Sequence, residues 1–195
     1  MARPSSFKRD AAVDAALKVF WRRGYAATSM PELLGAMGVA RSSFYASFAS
    51  KRELFRECLE LFGKRTLAIL AMPGSSRENL APIRTFFLQT VSEAPEQRIS
   101  RGCMMVNSVL EMADVDPELQ LLAQTKLDEI QDRFRQLLTN AQLTGEMTDT
   151  HSPAELAEIL MTLNLGIRVQ CRKQVDRVRL QQSIDTSLTL FGIAA

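Results

Sequence analysis

The sequence predicts an all-α fold in two parts: a short N-terminal unit of three helices, and a longer helical body behind it. Three observations carry this. Apolar residues recur at the helical period through most of the 195-residue chain. Cap and stop signals (Ser or Thr ahead of a segment, Gly just after it) punctuate those periodic stretches. No stretch shows the strict alternation of a half-buried strand. With 46% hydrophobic and 24% charged residues the composition is that of an ordinary globular protein, long enough to bury a core without metal or disulfide.

The elements follow in order. Residues 8–23 place Val13, Ala16, Leu17 and Phe20 on one helical face, and Gly24 follows where a helix commonly ends. A second helix opens at Thr28-Ser29, with Ser29 and Glu32 spaced as a capping box and Pro31 in the first turn; it carries Leu33, Leu34 and Met37 and stops at Gly38. A third, short helix runs from Arg41 to about Phe48. A fourth begins near Ser50, with Glu53 three residues on, and turns Leu54, Cys58, Leu61 and Phe62 inward. Residues 73–78 (Pro-Gly-Ser-Ser-Arg-Glu) are the clearest break in the chain. The division expected is residues 1–65 and 66–195, with the fourth helix bridging toward that break. Beyond it, helices are expected at about 79–93, 102–113, 117–143, 153–173 and 177–192. Ser152-Pro153-Ala154-Glu155 is the best cap of all, with Ser at N-cap, Pro at N1 and Glu at N3.

Charge and composition exclude several function classes. Residues 1–65 hold 12 Lys/Arg against 6 Asp/Glu and residues 66–195 hold 12 against 16, so a head of +6 and a body of −4 make up the net +2. A basic head points to a polyanionic partner, against the plainer alternative of scattered surface charge. The three cysteines, Cys58, Cys103 and Cys171, form neither a CxxC pair nor a disulfide framework, and with no leader peptide in view they point to a reducing cytoplasm. No apolar run approaches the ~18–20 residues that span a bilayer, so no membrane partner is expected. The single histidine, His151, lies in a polar loop, and the phosphate-binding, zinc-protease and nucleophile-elbow motifs are absent. Neither an enzyme nor a bound metal or cofactor is expected.

Residues 28–48 carry the function. Two short helices meeting at Met37-Gly38-Val39-Ala40 have the length of a helix-turn-helix, with Gly38 supplying the positive φ of a tight exit. Phe44 and Phe48, four residues apart, point into the core, which turns Arg41, Ser42, Ser43, Tyr45 and Ser47 outward. A helix in a major groove reads bases near its N-terminus, and short side chains there permit close approach. Lys51, opening the fourth helix, joins a cation to backbone N–H groups that can grip phosphate. Arg3, Lys8 and Arg9 make a basic N-terminal arm or a solvated terminus.

These residues carry a specific resemblance. Thr28-Ser29-Met30-Pro31-Glu32-Leu33, Gly38-Val39-Ala40-Arg41-Ser42-Ser43-Phe44-Tyr45-Ala46-Ser47-Phe48 and Ser50-Lys51-Arg52-Glu53-Leu54, with the Gly24-Tyr25 corner, resemble the DNA-binding signature of the tetracycline-repressor family over about 50 residues. The resemblance implies a homodimeric repressor of double-stranded, near-palindromic operator DNA, with a helix-turn-helix domain ahead of a helical ligand-sensing and dimerisation domain. It makes Arg41, Ser42, Ser43 and Tyr45 contact candidates, and Thr28, Ser29 and Lys51 phosphate candidates. Ala46 and Ser47 depart from the aromatic or His of many members, which weakens Ser47 as a contact.

The body offers further candidates. The family pattern puts dimerisation on the last two helices, where Leu156, Ile159, Leu160, Leu163 and Ile167 form one stripe and Leu180, Ile184, Leu188 and Phe191 another, although a monomer can bury both as core. Arg101-Gly102-Cys103-Met104-Met105 through Glu111, then Asp116-Pro117-Glu118, resembles a branch whose sensory helix opens with Gly-Cys, some members of which respond to electrophiles or oxidants. Cys103 is therefore the candidate sensor: a helix N-terminus with Arg98 and Arg101 nearby in sequence favours a thiolate, against the reading of a buried core thiol. Cys58 and Cys171 read as core. Phe86, Phe87, Met104, Met105, Phe134 and Met161 are candidate lining for the pocket of an unidentified small-molecule effector, with a Met-rich core as the competing explanation. The rival function, a helical protein–protein adaptor, accounts for the helices but not for the basic head or for Lys51 behind Arg41–Tyr45.

Overall fold

The computed structural model describes residues 5–70, 78–91, 99–173 and 176–193. Among them are nine α-helices and no strand: α1 Ser5–Arg23, α2 Met30–Met37, α3 Arg41–Ser47, α4 Lys51–Leu70, α5 Ala81–Val91, α6 Met104–Met112, α7 Pro117–Leu143, α8 Pro153–Arg172 and α9 Arg177–Leu190. The all-α expectation holds, and each expected helix is present with its ends shifted by a few residues. Most of the 73–78 break lies outside the described residues, as do Arg3 and Arg98 and the side chain of Lys8.

The chain folds into two compact units. The first joins Met1–Lys64 to Cys103–Lys126, and the second joins Arg65–Gly102 to Leu127–Ala195. The expected division at 65/66 lies one residue from the break after Lys64. The sequence did not signal that 103–126 belongs with the N-terminal helices. That segment brings four carboxylates and one lysine to the 11 Lys/Arg and 6 Asp/Glu of Met1–Lys64, so the first unit carries +2, not the +6 of residues 1–65.

In the first unit, α1 buries Val13, Ala16, Leu17 and Phe20 and ends at Gly24, whose φ of 84° is open to glycine at little cost. Phe20 meets Phe55 edge-on with ring centroids 4.9 Å apart, and Trp21 meets Phe62 in the same way at 4.9 Å. Met104 and Met112 of α6 and Leu119 of α7 join this core. The Ser29 hydroxyl accepts from the N–H of Glu32, but the Glu32 carboxylate turns to Arg22 and Arg23 and the box is not completed. Glu53 behaves alike: its N–H donates to Ser50 Oγ at 3.1 Å while its carboxylate pairs with Arg52 and Arg56.

The second unit is built on an aromatic triad. Phe134 of α7 packs against both Phe86 and Phe87 of α5, with centroids 5.2 and 6.0 Å away, and all three are buried. Leu156, Leu160 and Ile167 of α8 and Leu180, Ile184 and Leu188 of α9 are buried too, and α9 packs on α5. Ser152 and Glu155 form the full reciprocal cap (3.2 and 3.0 Å). The N-terminus of α5 is capped from far away, the Glu146 carboxylate accepting from the N–H groups of Asn79 (2.8 Å) and Leu80 (3.0 Å).

Candidate nucleic-acid interface

Seven residues are too few to hold a helix in water, so α3 exists because its side chains are anchored. Phe44 and Phe48 provide the anchor, both buried, with rings 5.4 Å apart. Burying positions 44 and 48 leaves Arg41, Ser42, Ser43, Tyr45 and Ser47 in solvent, together with Ala40 and Ala46. Tyr45 is 52% exposed, its ring set edge-on against Phe44 at 5.1 Å. The entrance to α3 is a tight turn, with Gly38 at φ 66° donating to Gly35 and Val39 N–H donating to the Leu34 carbonyl. The result is a rigid, low-relief face with one cation and one aromatic side chain standing out from it.

Lys51 opens α4 three residues after Phe48. Its ammonium lies over the Tyr25 ring, 4.4 Å from the centroid, a cation–π geometry. Burial lowers its proton affinity from the ordinary lysine value, and the Glu111 carboxylate partly opposes that. Burial likewise raises the Tyr25 phenol, followed by the charge of Asp116.

Two expected contributors are placed differently. Thr28 is only 1% exposed, and its hydroxyl donates to the Gly24 carbonyl at 2.6 Å, so this side chain shapes the corner after α1. Arg9 lies within α1, which starts at Ser5, and is not part of a loose arm. Its guanidinium stacks on Phe48 (4.8 Å) and donates twice to Glu57 (2.7 and 3.0 Å). Ser29 does reach solvent, at the N-cap of α2.

The sequence reading also missed two carboxylates of the 103–126 segment. Glu111, in the last turn of α6, accepts from the N–H groups of Tyr25 (2.9 Å) and Ala26 (2.8 Å). Asp116 accepts a two-pronged bond from Arg52 (2.6 and 3.1 Å), with Glu118 on the same guanidinium, and also caps α7 through the N–H of Leu119. The Arg52 bond holds the Asp116 carboxyl below its ordinary value. The Asp-Pro-Glu start of α7 signals the helix, but no local pattern names the arginine it meets. Among the described residues no group of three or more His, Cys, Asp or Glu side chains is placed to hold a metal ion.

Comparison with known proteins decides what this face belongs to. Residues 12–58 match the model of bacterial regulatory proteins of the tetR family, and residues 79–186 match the tetracyclin repressor-like C-terminal domain. The chain belongs to the tetracycline-repressor family. This TetR-family chain is 31% identical to the uncharacterized HTH-type transcriptional regulator YezE of Bacillus subtilis, over 98% of its own length and all of the relative's. It is 27% identical to the HTH-type transcriptional repressor ComR of Escherichia coli, over 97% and 91% of the two chains. Among solved structures it is similar to a cysteine-substituted variant of the regulator CifR complexed with 26-base-pair double-strand operator DNA, at 30% identity, covering 97% and 100% of the two chains with a TM-score of 0.75. The TetR-family chain is thus a DNA-binding helix-turn-helix transcriptional regulator, and the adaptor reading falls away.

The sensing candidates divide between the units. Cys103 is the N-cap residue of α6 in the first unit, extended and 2% exposed, and its thiol makes no capping bond. Gly102 before it has φ 66°, and a Cβ there would stand 2.9 Å from Cγ of Arg172. Cys58 and Cys171 are buried, and burial raises both thiols above the ordinary value. Met104 and Met105 are buried in the first unit, whereas Phe86, Phe87, Phe134 and Met161 are buried in the second. A 610 Å³ cavity bordered by His151, Glu155 and Phe191, and a 500 Å³ cavity between Leu163 and Ser183, include none of them. No helix of the described residues is long and apolar enough to cross a membrane.

Proposed function

We propose that the regulator inserts α3 into the major groove of a near-palindromic operator, with Arg41, Ser42, Ser43, Tyr45 and Ser47 against base edges and Ser29 and Lys51 against phosphates. The observation that carries this is the two-sidedness of α3: Phe44 and Phe48 are locked in the core while the other face, short but for Arg41 and Tyr45, is open. The operator-bound CifR variant supports it. The protein acts as a repressor, as ComR does by name, in the cytoplasm and without catalysis.

Binding two half-sites requires two copies. The buried part of the α8 and α9 stripes serves the protomer's own core, so the dimer face lies beside it: Ile159, Leu163 and Gly166 on α8, and Leu190 on α9, which is 83% exposed. Nothing lies within 4 Å of a Cβ built on Gly166, so a partner helix can approach there. Release from DNA follows either from an effector that opens the Phe86–Phe87–Phe134 cluster or from modification of Cys103, each acting by differential affinity for the two states.

Selection from random duplex fragments tests the reading. A near-palindrome with half-sites about one helical turn apart is expected, bound more weakly by Arg41→Ala and Tyr45→Ala, each with an intact dimer. Wild-type operator affinity in both variants removes α3 as the reader.

A further inference from the structure

The corner between α1 and α2 is held from outside the helix-turn-helix. Gly24 is left-handed, and consecutive N–H groups beside such a residue converge on an anion. Here the anion is internal: Glu111 takes the N–H groups of Tyr25 and Ala26. The space is reserved for it, since a Cβ on Gly24 would stand 2.7 Å from Glu111 Oε2 and 2.9 Å from Oε1. Tyr25, so fixed, packs its ring on Phe55 at 5.0 Å and offers its face to Lys51.

We propose that Glu111 is a positioning residue for the DNA grip: by clamping the backbone of Tyr25 and Ala26 it sets the ring that seats Lys51, and displacement of the end of α6 unseats that lysine. The chain of contacts is continuous and lies within one compact unit, from α6 through two hydrogen bonds to the corner, and from the Tyr25 ring to the ammonium. A shift of about 1 Å carries both bonds past hydrogen-bonding distance. Cys103 is the N-cap of the same helix, so α6 joins that residue to the corner. Gln at position 111 keeps the length but only one acceptor oxygen and no charge, and cannot hold both N–H groups with equal strength.

This inference rests on Lys51 meeting phosphate, and the test separates the two. Wild type, Lys51→Ala, Glu111→Gln and the double variant are titrated by anisotropy against a labelled random-sequence duplex of about three helical turns, at several salt concentrations. Expected are several-fold losses in both single variants, with a salt slope lower by about one unit, and a double variant no weaker than either single one. In the NMR spectrum the Lys51 methylene protons, shifted by the Tyr25 ring in the wild type, should move toward their free values in Glu111→Gln. Unchanged duplex affinity in Lys51→Ala overturns the phosphate role. A loss in Lys51→Ala with wild-type affinity in Glu111→Gln, or with additive losses, overturns the positioning role alone. Where Glu111→Gln does not fold, amide exchange in the wild type decides: slow exchange at Tyr25 and Ala26 supports the clamp, and exchange of both at unprotected rates overturns it.

Discussion

Gly24→Ala combines two costs that the structure lets one separate. The first is backbone: at φ 84° an L-residue loses about 1–2 kcal/mol relative to glycine. The second is the clamp, because the new methyl would sit 2.7 and 2.9 Å from the two oxygens of Glu111, and the carboxylate must retreat by about 0.5–0.7 Å to reach ordinary contact. Bonds that start at 2.9 and 2.8 Å then pass the usual limit near 3.2 Å. Hydrogen bonds to a charged group are worth about 1.5–3 kcal/mol each, and at a corner open to water the low end applies. With both bonds lost the variant should therefore be destabilised by about 4–5 kcal/mol. Urea denaturation followed by Trp21 fluorescence is the assay, since the one tryptophan of the chain is packed in the first unit against Phe62. In a Glu111→Ala background, with no carboxylate to displace, the same substitution should cost only the backbone part. Equal losses in both backgrounds, or a loss below about 1 kcal/mol in the wild type, would refute the reasoning.

Phe134→Ala should cost about 3–5 kcal/mol, because a buried ring packed against both Phe86 and Phe87 leaves a cavity that its aromatic neighbours fill poorly; denaturation followed by near-ultraviolet circular dichroism measures it. Asp116 has its native carboxyl lowered by Arg52, so its contribution to stability is complete above the ordinary value near 4 and is lost as pH falls through the lowered one. Asp116→Asn should accordingly flatten the acid limb of the stability profile below about pH 4. Mild oxidant or electrophile should release DNA from the wild type and not from Cys103→Ser; equal release from both relegates that thiol to packing.

Local chemistry was legible and long-range polar chemistry was not. The Ser152 cap, the Gly38 exit and the Phe44–Phe48 pair each depend on residues within a turn of one another, so periodicity and capping rules locate α8, the α2–α3 turn and the open face of α3. Thr28, Arg9 and Arg52 were opaque for one shared reason. Their side chains are satisfied by groups that only the tertiary fold brings near: the Gly24 carbonyl, Phe48 with Glu57, and Asp116 with Glu118. A carboxylate that serves distant N–H groups, as Glu111 and Glu146 do, looks in sequence like any solvated glutamate. The head-and-body charge contrast pointed to the right class of partner but overstated the charge of the folded unit. Carboxylates from 103–126 neutralise most of it, and Arg9, Arg52 and Arg56 are paired to acids.

The two kinds of holding force in the first unit suit different tasks. Phe44 and Phe48 fasten α3 by apolar burial, which is non-directional and tolerates small displacements, so the reading face keeps its shape when neighbouring helices shift. The corner at Tyr25 is fastened to α6 by two directional bonds to one carboxylate, and these fail over a distance that would barely alter the burial of a phenylalanine. A regulator needs both behaviours: an address that does not change and a grip that does. The helix α3, proposed as the reader, has the first. The second is the role proposed for Glu111, on a polar link whose loss should leave α3 intact and Lys51 without its seat.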